Sequence, residues 1–235
     1  MSVICQLSTS INGKISGPFM AEEEQKIYRP RAYESINNSY NSDAWLCGRV
    51  TMEEGFTNFH QPELKEDYTE YPREDFVADS DAEMYIVSAD PSGKVGWTQN
   101  YVEYAGRPDA HIIEILTDKV SDAYVSYLRE HNISYIFSGE ESIDCTSAAE
   151  KLHELFGIKT LMVSGGGYVN WSFLQEGLID EMSIVMTPIT DGSTETNTIF
   201  ERADYLPEID PVKFELKDVK RLDGDVVWLN YLTRK

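Results

Sequence analysis

Apolar positions along the chain fall into short runs whose period changes several times. Val3–Leu7 (VICQL) is apolar at nearly every position, as a strand covered on both faces is, and it runs into the polar turn STSINGK. From roughly Glu22 to Tyr40 the signal is helical. Asp43–Cys47 (DAWLC) and Met84–Ser88 (MYIVS) predict short strands, the second followed by the turn-like ADPSGK, and His111–Leu116 (HIIEIL) predicts another. Val120, Ala123, Tyr124, Tyr127 and Leu128 recur at helical spacing that ends near Asn132, and Tyr135–Phe137 is extended. Ser147 and Glu150 have the spacing of a capping box, which opens a helix there. That helix carries the stripe Ala148, Leu152, Leu155 and Phe156, and Gly157 stops it. Thr160–Val163 (TLMV) is then a buried strand, followed by three glycines, a helix starting near Tyr168, and the strand of IDEMSIVM.

Strand–helix–strand–glycine turn–helix–strand is the alternation of a parallel α/β sheet. The C-terminus differs: FELKDVKRL and VVWLNYL flank Asp223-Gly224-Asp225, whose Asp-Gly pair predicts an antiparallel hairpin. The expected architecture is one α/β domain over residues 1–235, with a mixed, mostly parallel sheet flanked by helices and closed by that hairpin. Residues His60–Asp81 are poor in aliphatics and rich in acids and tyrosine, and predict a long loop able to cover a site.

Charge narrows the partners. Lys and Arg number 20 against 41 Asp and Glu, a formal net charge of −21 that repels nucleic acid and anionic membrane. Any anionic cofactor therefore needs local donors to overcome the global field. Cys5, Cys47 and Cys145 are too few and too scattered for a disulfide framework or a zinc site, and the first two sit in strand-like runs as core residues do. His60, His111, His131 and His153 lie far apart, so no metal is expected. MSVICQLSTS lacks the basic and apolar regions of a signal peptide, and no run approaches a membrane span, so a cytoplasmic protein is expected.

Two strand-to-helix turns carry candidate chemistry. Gly165-Gly166-Gly167 ends a strand and opens a helix, where unpaired N–H groups with partial positive charge can meet a phosphate; a packing turn explains the same glycines. Gly48-Arg49-Val50-Thr51 is a second such turn, offering a guanidinium and a hydroxyl, with pairing of Arg49 to Glu53 as its bland alternative. Together the two turns suit the two ends of a dinucleotide. Neither is a Rossmann fingerprint: Asn170 stands where the third glycine belongs, and Asp180 and Glu181 precede their strand instead of following one.

With these turns in place, the chain resembles the dihydrofolate-reductase-like superfamily, and within it the riboflavin-biosynthesis pyrimidine reductase domain. The resemblance rests on Ser10-Ile11-Asn12-Gly13-Lys14, DAWLCGRVT, VSADPSGK and GGGYVNWSFLQEGLIDEMSIVMTP, and covers nearly the whole chain. It implies a mixed sheet flanked by helices in a homodimer that transfers a hydride from NADPH. It places Thr9, Gly48, Arg49, Thr51, Ser88, Gly165, Gly166, Gly167, Tyr168, Val169 and Asn170 around the cofactor. It also puts Ser10, Asn12 and Lys14 by the transfer site, with Asn12 and Lys14 as catalytic candidates. Gln6, Ser10 and Ser164 are the substrate-facing candidates, yet Gln6 stands where the family has lysine, Asn12 where it has aspartate and Ser164 where it has glutamate. The family's substrate-holding P-x-L-x-x-R segment has only QPELKEDYTEYPRED as counterpart, in which Lys65 or Arg73 can substitute. These departures imply a reductase with a changed substrate. Ala89 follows Ser88 where the family often has an Arg for the 2′-phosphate, which leaves Lys94 or Arg49 to that task, with NADPH the first choice and NADH the alternative. Dihydrofolate or pteridine reduction fits less well, because GPFMAEEEQK lacks the acid-bearing helix motif. The zinc deaminase motif that often accompanies the reductase is missing from this sequence. A non-catalytic nucleotide-binding module is the rival from another class.

Overall fold

The computed structural model describes residues 1–104 and 106–234. Along the chain run β1 (Ser2–Thr9), α1 (Gln25–Ser39), β2 (Ala44–Gly48), the short α2 (Arg49–Met52), which continues as a π turn over Glu53–Thr57, and β3 (Met84–Ala89). There follow β4 (Tyr101–Val102), β5 (Ala110–Leu116), α3 (Asp122–Glu130), β6 (Ser134–Phe137), α4 (Cys145–Phe156) and β7 (Thr160–Val163). The chain closes with α5 (Gly167–Gln175), β8 (Glu181–Met186), β9 (Phe214–Arg221) and β10 (Val227–Thr233). Parallel and antiparallel pairings both occur, the mixed sheet that the sequence predicts. The fold divides into two compact units, Asp43–Leu161 with Met1, and Ser2–Ser42 with Met162–Lys235.

In the first unit β2, β3, β5 and β6 pair in parallel, and β4 lies antiparallel to β5. Every residue of β5 is buried, so its apolar run packs on both faces and its two polar members, His111 and Glu114, are forced inside. Each buried Ile or Leu of such a strand stabilises the fold by roughly 1.5–3 kcal/mol. The 60–81 segment is a long loop as expected, and it is tied down along α3, β6 and α4. Phe76 exchanges both backbone hydrogen bonds with Tyr135, at 2.8 and 2.9 Å, and the Lys151 ammonium lies 3.0 Å from Asp75. The Arg129 guanidinium stacks 3.9 Å from the centre of the Phe76 ring.

Two helix features differ from the pattern-based reading. α4 begins at Cys145, because the Asp144 carboxylate accepts from the Ser147 N–H at 2.8 Å; Asp144, not Ser147, is the cap. Ala148, Leu152 and Phe156 are buried, whereas Leu155 is 36% exposed, at the edge of the stripe. Gly157 terminates the helix in the left-handed region. The two-residue β4 carries too short a run to register as a pattern.

In the second unit β1 pairs in parallel with β8, β8 antiparallel with β10, and β10 with β9 in the expected hairpin. α1 covers this sheet through Ala32, which packs with Val185, Val226 and Trp228 while Tyr28 and Ile36 flank them. Gly224 turns the hairpin with φ 70°, and a Cβ there would come 2.4 Å from the Tyr28 ring. None of the helices among the described residues is long and apolar enough to cross a membrane.

Candidate nucleotide and transfer sites

At the carboxyl end of β1 the chain reverses tightly. The Ser10 N–H donates to the Lys14 carbonyl at 3.0 Å, and Gly13 takes φ 77°, a value that favours glycine. The Ser10 hydroxyl, wholly buried, donates to Asn12 Oδ1 at 2.7 Å and accepts from the Lys14 N–H at 3.1 Å. The triplet Ser10, Asn12 and Lys14 is thus brought together as expected. Its outward groups are taken by a segment that the hydrophobic pattern does not reveal. Asn12 Nδ2 donates to the Asp191 carbonyl at 3.1 Å, Lys14 Nζ donates to the Thr196 carbonyl at 3.2 Å, and the Ile15 N–H donates to the Asn197 carbonyl at 3.0 Å. Thr9 is buried one residue earlier, and its carbonyl accepts from both the backbone N–H and the hydroxyl of Thr187, each at 2.8 Å.

The glycine run answers two demands. Gly165 has φ 108° and is joined to Gly166 by a cis peptide, and a Cβ on either residue would meet no atom within 4 Å. Gly166 precedes α5, whose first turn is capped by no side chain. That leaves an open backbone cradle beside uncapped N–H groups. Gly167 is a packing glycine: a Cβ there would stand 2.6 Å from the Thr198 carbonyl oxygen, and its own carbonyl accepts from the Glu201 N–H at 3.1 Å. Asn170 is buried, and its amide donates to the Ile199 carbonyl at 2.8 Å, so it bolts the 198–201 segment to α5. Tyr168 is exposed and Val169 half-buried at the same turn.

Two substrate-facing candidates have structural partners. Gln6 is fully buried; its amide donates to the Tyr33 carbonyl at 3.0 Å and accepts from Asn37 at 2.9 Å, which commits it to holding α1. Ser164 accepts from the Tyr33 hydroxyl at 3.2 Å.

In the other unit Gly48 precedes α2 in an extended conformation, again with no side-chain cap. The Arg49 guanidinium, 36% exposed, lies 2.7 Å from the Glu53 carboxylate, which is 4% exposed. The pairing weighed from sequence therefore forms, and Arg49 sits at the turn with its charge largely matched. Thr51 is half-buried in the first turn of α2. Ser88 is wholly buried and stands opposite Glu114 in the β3–β5 register, so its side chain points into the unit.

Behind this turn lies a group of buried acids. Burial raises the Glu114 carboxyl well above its usual range; the neighbouring charge of Asp90 adds to this, while Trp97 and Ser88 oppose it. The Trp97 indole N–H donates to Glu114. Burial also raises Asp90, against the pull of the Lys94 and Val95 N–H groups and of Arg49. A lone glutamate inside HIIEIL is the visible trace of this group; its partners lie far off in sequence. Three histidines bond within the fold: His111 Nε2 to the Ser134 hydroxyl, His131 to the Tyr127 carbonyl and His153 to the Ile158 carbonyl, each at 2.8 Å.

The candidate substrate cations are occupied elsewhere. Lys65 pairs with Glu130 at 2.7 Å. Arg73 donates to the Val120 carbonyl at 2.6 Å and to Asp122 at 2.9 Å. Both strap the long loop against α3.

Known proteins resemble this chain in sequence and in fold. A 2,5-diamino-6-ribosylamino-4(3H)-pyrimidinone 5′-phosphate reductase of Methanothermobacter thermautotrophicus is 29% identical over 92 residues, 39% of this chain and 42% of the relative. One of the same name from Archaeoglobus fulgidus is 32% identical over 77 residues, 33% of this chain and 35% of the relative. The match thus spans less than half of these relatives' length. Among solved structures, a pyrimidine reductase-like protein from Corynebacterium diphtheriae superposes with a TM-score of 0.68 at 12% identity, covering 100% of this chain and 92% of the other. The riboflavin biosynthesis reductase of Saccharomyces cerevisiae gives a TM-score of 0.58 at 16% identity, covering 99% and 90%. The RibD C-terminal domain family matches residues 1–228, across both compact units and all four motifs that carry the resemblance; the chain belongs to that family.

Proposed function

We propose that the chain is a nicotinamide-dependent reductase that acts on a pyrimidine riboside, with residues 1–235 working as one catalytic domain. The family match over residues 1–228 carries this reading. The names of the matched relatives supply the substrate class. The open backbone at Gly165 and Gly166, beside the uncapped first turn of α5, suits a dinucleotide phosphate: no side chain fills the cradle, and the helix end favours an anion. Gly165–Asn170 and Gly48–Thr51, together with Thr9 and the backbone of Ser88, are the residues assigned to the cofactor. NADPH is the preferred form, since Lys94 is exposed and in no ion pair among the described residues, whereas Arg49 is paired with Glu53.

When bound, the reduced nicotinamide supplies the hydride, and a polarised C=N or C=O of the substrate accepts it. The turn Ser10–Lys14 positions that acceptor. Asn12 hydrogen-bonds in both directions but does not donate a proton as an acid, so the proton comes from water or from Lys14. A homodimer is the assembly that the family resemblance implies, and the cytoplasm the expected location. The test is loss of reduced-nicotinamide absorbance on mixing the chain with NADPH and 2,5-diamino-6-ribosylamino-4(3H)-pyrimidinone or its 5′-phosphate. Turnover of either supports the reading, and none with NADPH or NADH overturns it. One observation favours a binding module without chemistry: Asn12 and Lys14 are both engaged by the 191–196 segment. Tight dinucleotide binding without turnover is the result that selects that module.

A further inference from the structure

Tyr33 links α1 to two strands of the unit formed by Ser2–Ser42 and Met162–Lys235. Its carbonyl accepts from the Gln6 amide at 3.0 Å, and Gln6 accepts in turn from Asn37 at 2.9 Å. Gln6 and Asn37 are both buried. Amides this deep are stable only when bonded, and here the bonds set the height and rotation of α1 at Tyr33. The Tyr33 hydroxyl then reaches the end of β7, where it donates to Ser164 Oγ at 3.2 Å. Ser164 is half-buried and directly precedes Gly165. Since a Cβ on Gly165 or Gly166 would meet no atom within 4 Å, the hydroxyl pair borders the open backbone assigned to the cofactor.

The Ser10–Lys14 turn belongs to the same region. The Ile199 N–H donates to the Gly13 carbonyl at 3.2 Å, and the Glu201 N–H donates to the Gly167 carbonyl at 3.1 Å. Residues 199–201 thus tie that turn to the start of α5. The polar side chains of the turn are engaged, Asn12 by the Asp191 carbonyl and Lys14 by the Thr196 carbonyl. Ser164 is placed differently. A serine hydroxyl carries one donor and two acceptor pairs, so accepting from Tyr33 leaves its own O–H for a further acceptor. A donor that is itself hydrogen-bonded in this way is strengthened. Hydride addition to the carbon of a C=N or C=O reduces the substrate, oxidises the nicotinamide and moves the π pair onto nitrogen or oxygen. A fixed hydroxyl donor beside that atom stabilises the charge before a proton arrives from water or Lys14.

We propose that Tyr33 is a positioning residue of the transfer site, which through Ser164 holds a neutral hydroxyl donor against the C=N or C=O that receives the hydride. The identity of the ligand rests on the reductase reading; the Gln6–Tyr33–Ser164 chain does not. Consumption of NADPH by the full chain with 2,5-diamino-6-ribosylamino-4(3H)-pyrimidinone 5′-phosphate tests it. Tyr33→Phe keeps the ring and removes one oxygen; it is expected to lower kcat about tenfold and to leave KM for NADPH unchanged. Ser164→Ala is expected to lower kcat about a hundredfold, whereas Ser164→Thr, which keeps the hydroxyl, stays close to the parent. Adding Tyr33→Phe to Ser164→Ala is expected to lower kcat no further, because Tyr33 acts through that hydroxyl. A tyrosine that only held the fold would lower the melting temperature equally in both backgrounds and leave kcat as it was. Unchanged kcat in Tyr33→Phe, or losses that multiply in the double variant, overturns the proposal. A parent chain that consumes no NADPH removes the reductase reading instead, and calorimetric binding of the same compound then decides. Weaker binding in both Tyr33→Phe and Ser164→Ala upholds the pair as a ligand-facing group. Binding indifferent to them, or none by the parent, overturns it.

Discussion

Gly166 and Gly167 are adjacent but answer to different constraints, and alanine at each separates recognition from packing. Gly166 has φ −71° and open space where a Cβ would point, so Gly166→Ala is expected to leave the melting temperature unchanged and to weaken dinucleotide binding. Gly167→Ala drives a methyl against the Thr198 carbonyl and is expected to cost about 1–3 kcal/mol in urea unfolding. Arg49→Ala leaves the buried Glu53 carboxylate uncompensated. The loss should fall below the roughly 3–5 kcal/mol of a fully buried pair, because the guanidinium is 36% exposed and water screens it; denaturant titration measures it. Glu114 makes a pH-dependent prediction. Its folded-state pKa is raised, so its favourable contribution is complete below the ordinary value of 4.5 and is lost as pH rises towards the folded value. Glu114→Gln keeps an acceptor for Trp97 and is expected to melt higher than the parent at pH 8, with the gap closing near pH 4. The sequence displays Glu114 as an oddity within an apolar run, but not Trp97 above it. Gln6 shows the converse: it stands at a family substrate position, and only the fold reveals its amide spent on α1.

At the scale of elements, α4 shows what local pattern leaves open. Asp144-x-x-Ser147 and Ser147-x-x-Glu150 are both acceptable helix starts, and three residues of register depend on which carboxylate or hydroxyl finds an N–H first. The structure takes Asp144. Asp144→Ala is therefore expected to cost about 1 kcal/mol, whereas Ser147→Ala should change stability by only a few tenths, as thermal melts will show. Strands and helices with strong apolar periodicity, such as β5, α3 and β7, are legible because burial alone dictates their pattern. The 60–81 loop is legible as a loop only. Its anchors, Arg129 on Phe76 and Arg73 on the start of α3, join residues about 50 apart, and no local rule reaches that far. The 189–201 segment is hidden for the same reason: it is polar and aperiodic, yet it supplies the partners of Asn12, Lys14, Gly167 and Asn170.

For the whole molecule, an acidic chain that binds a polyanionic cofactor must do so with main-chain N–H groups and a few placed cations. The glycine turn and its helix end are legible in the sequence, because glycines between an apolar strand and a helix mark a tight reversal. What the sequence leaves undecided is which glycine serves the ligand and which serves packing, since that depends on the position of Thr198. The central claim is that bare backbone at the start of α5 receives the dinucleotide. Amide hydrogen exchange across residues 165–170, with and without saturating NADPH, tests it most directly. The account predicts marked slowing at Gly167, Tyr168 and Val169 when NADPH is present. Unchanged exchange at those amides under conditions where NADPH binds would contradict it.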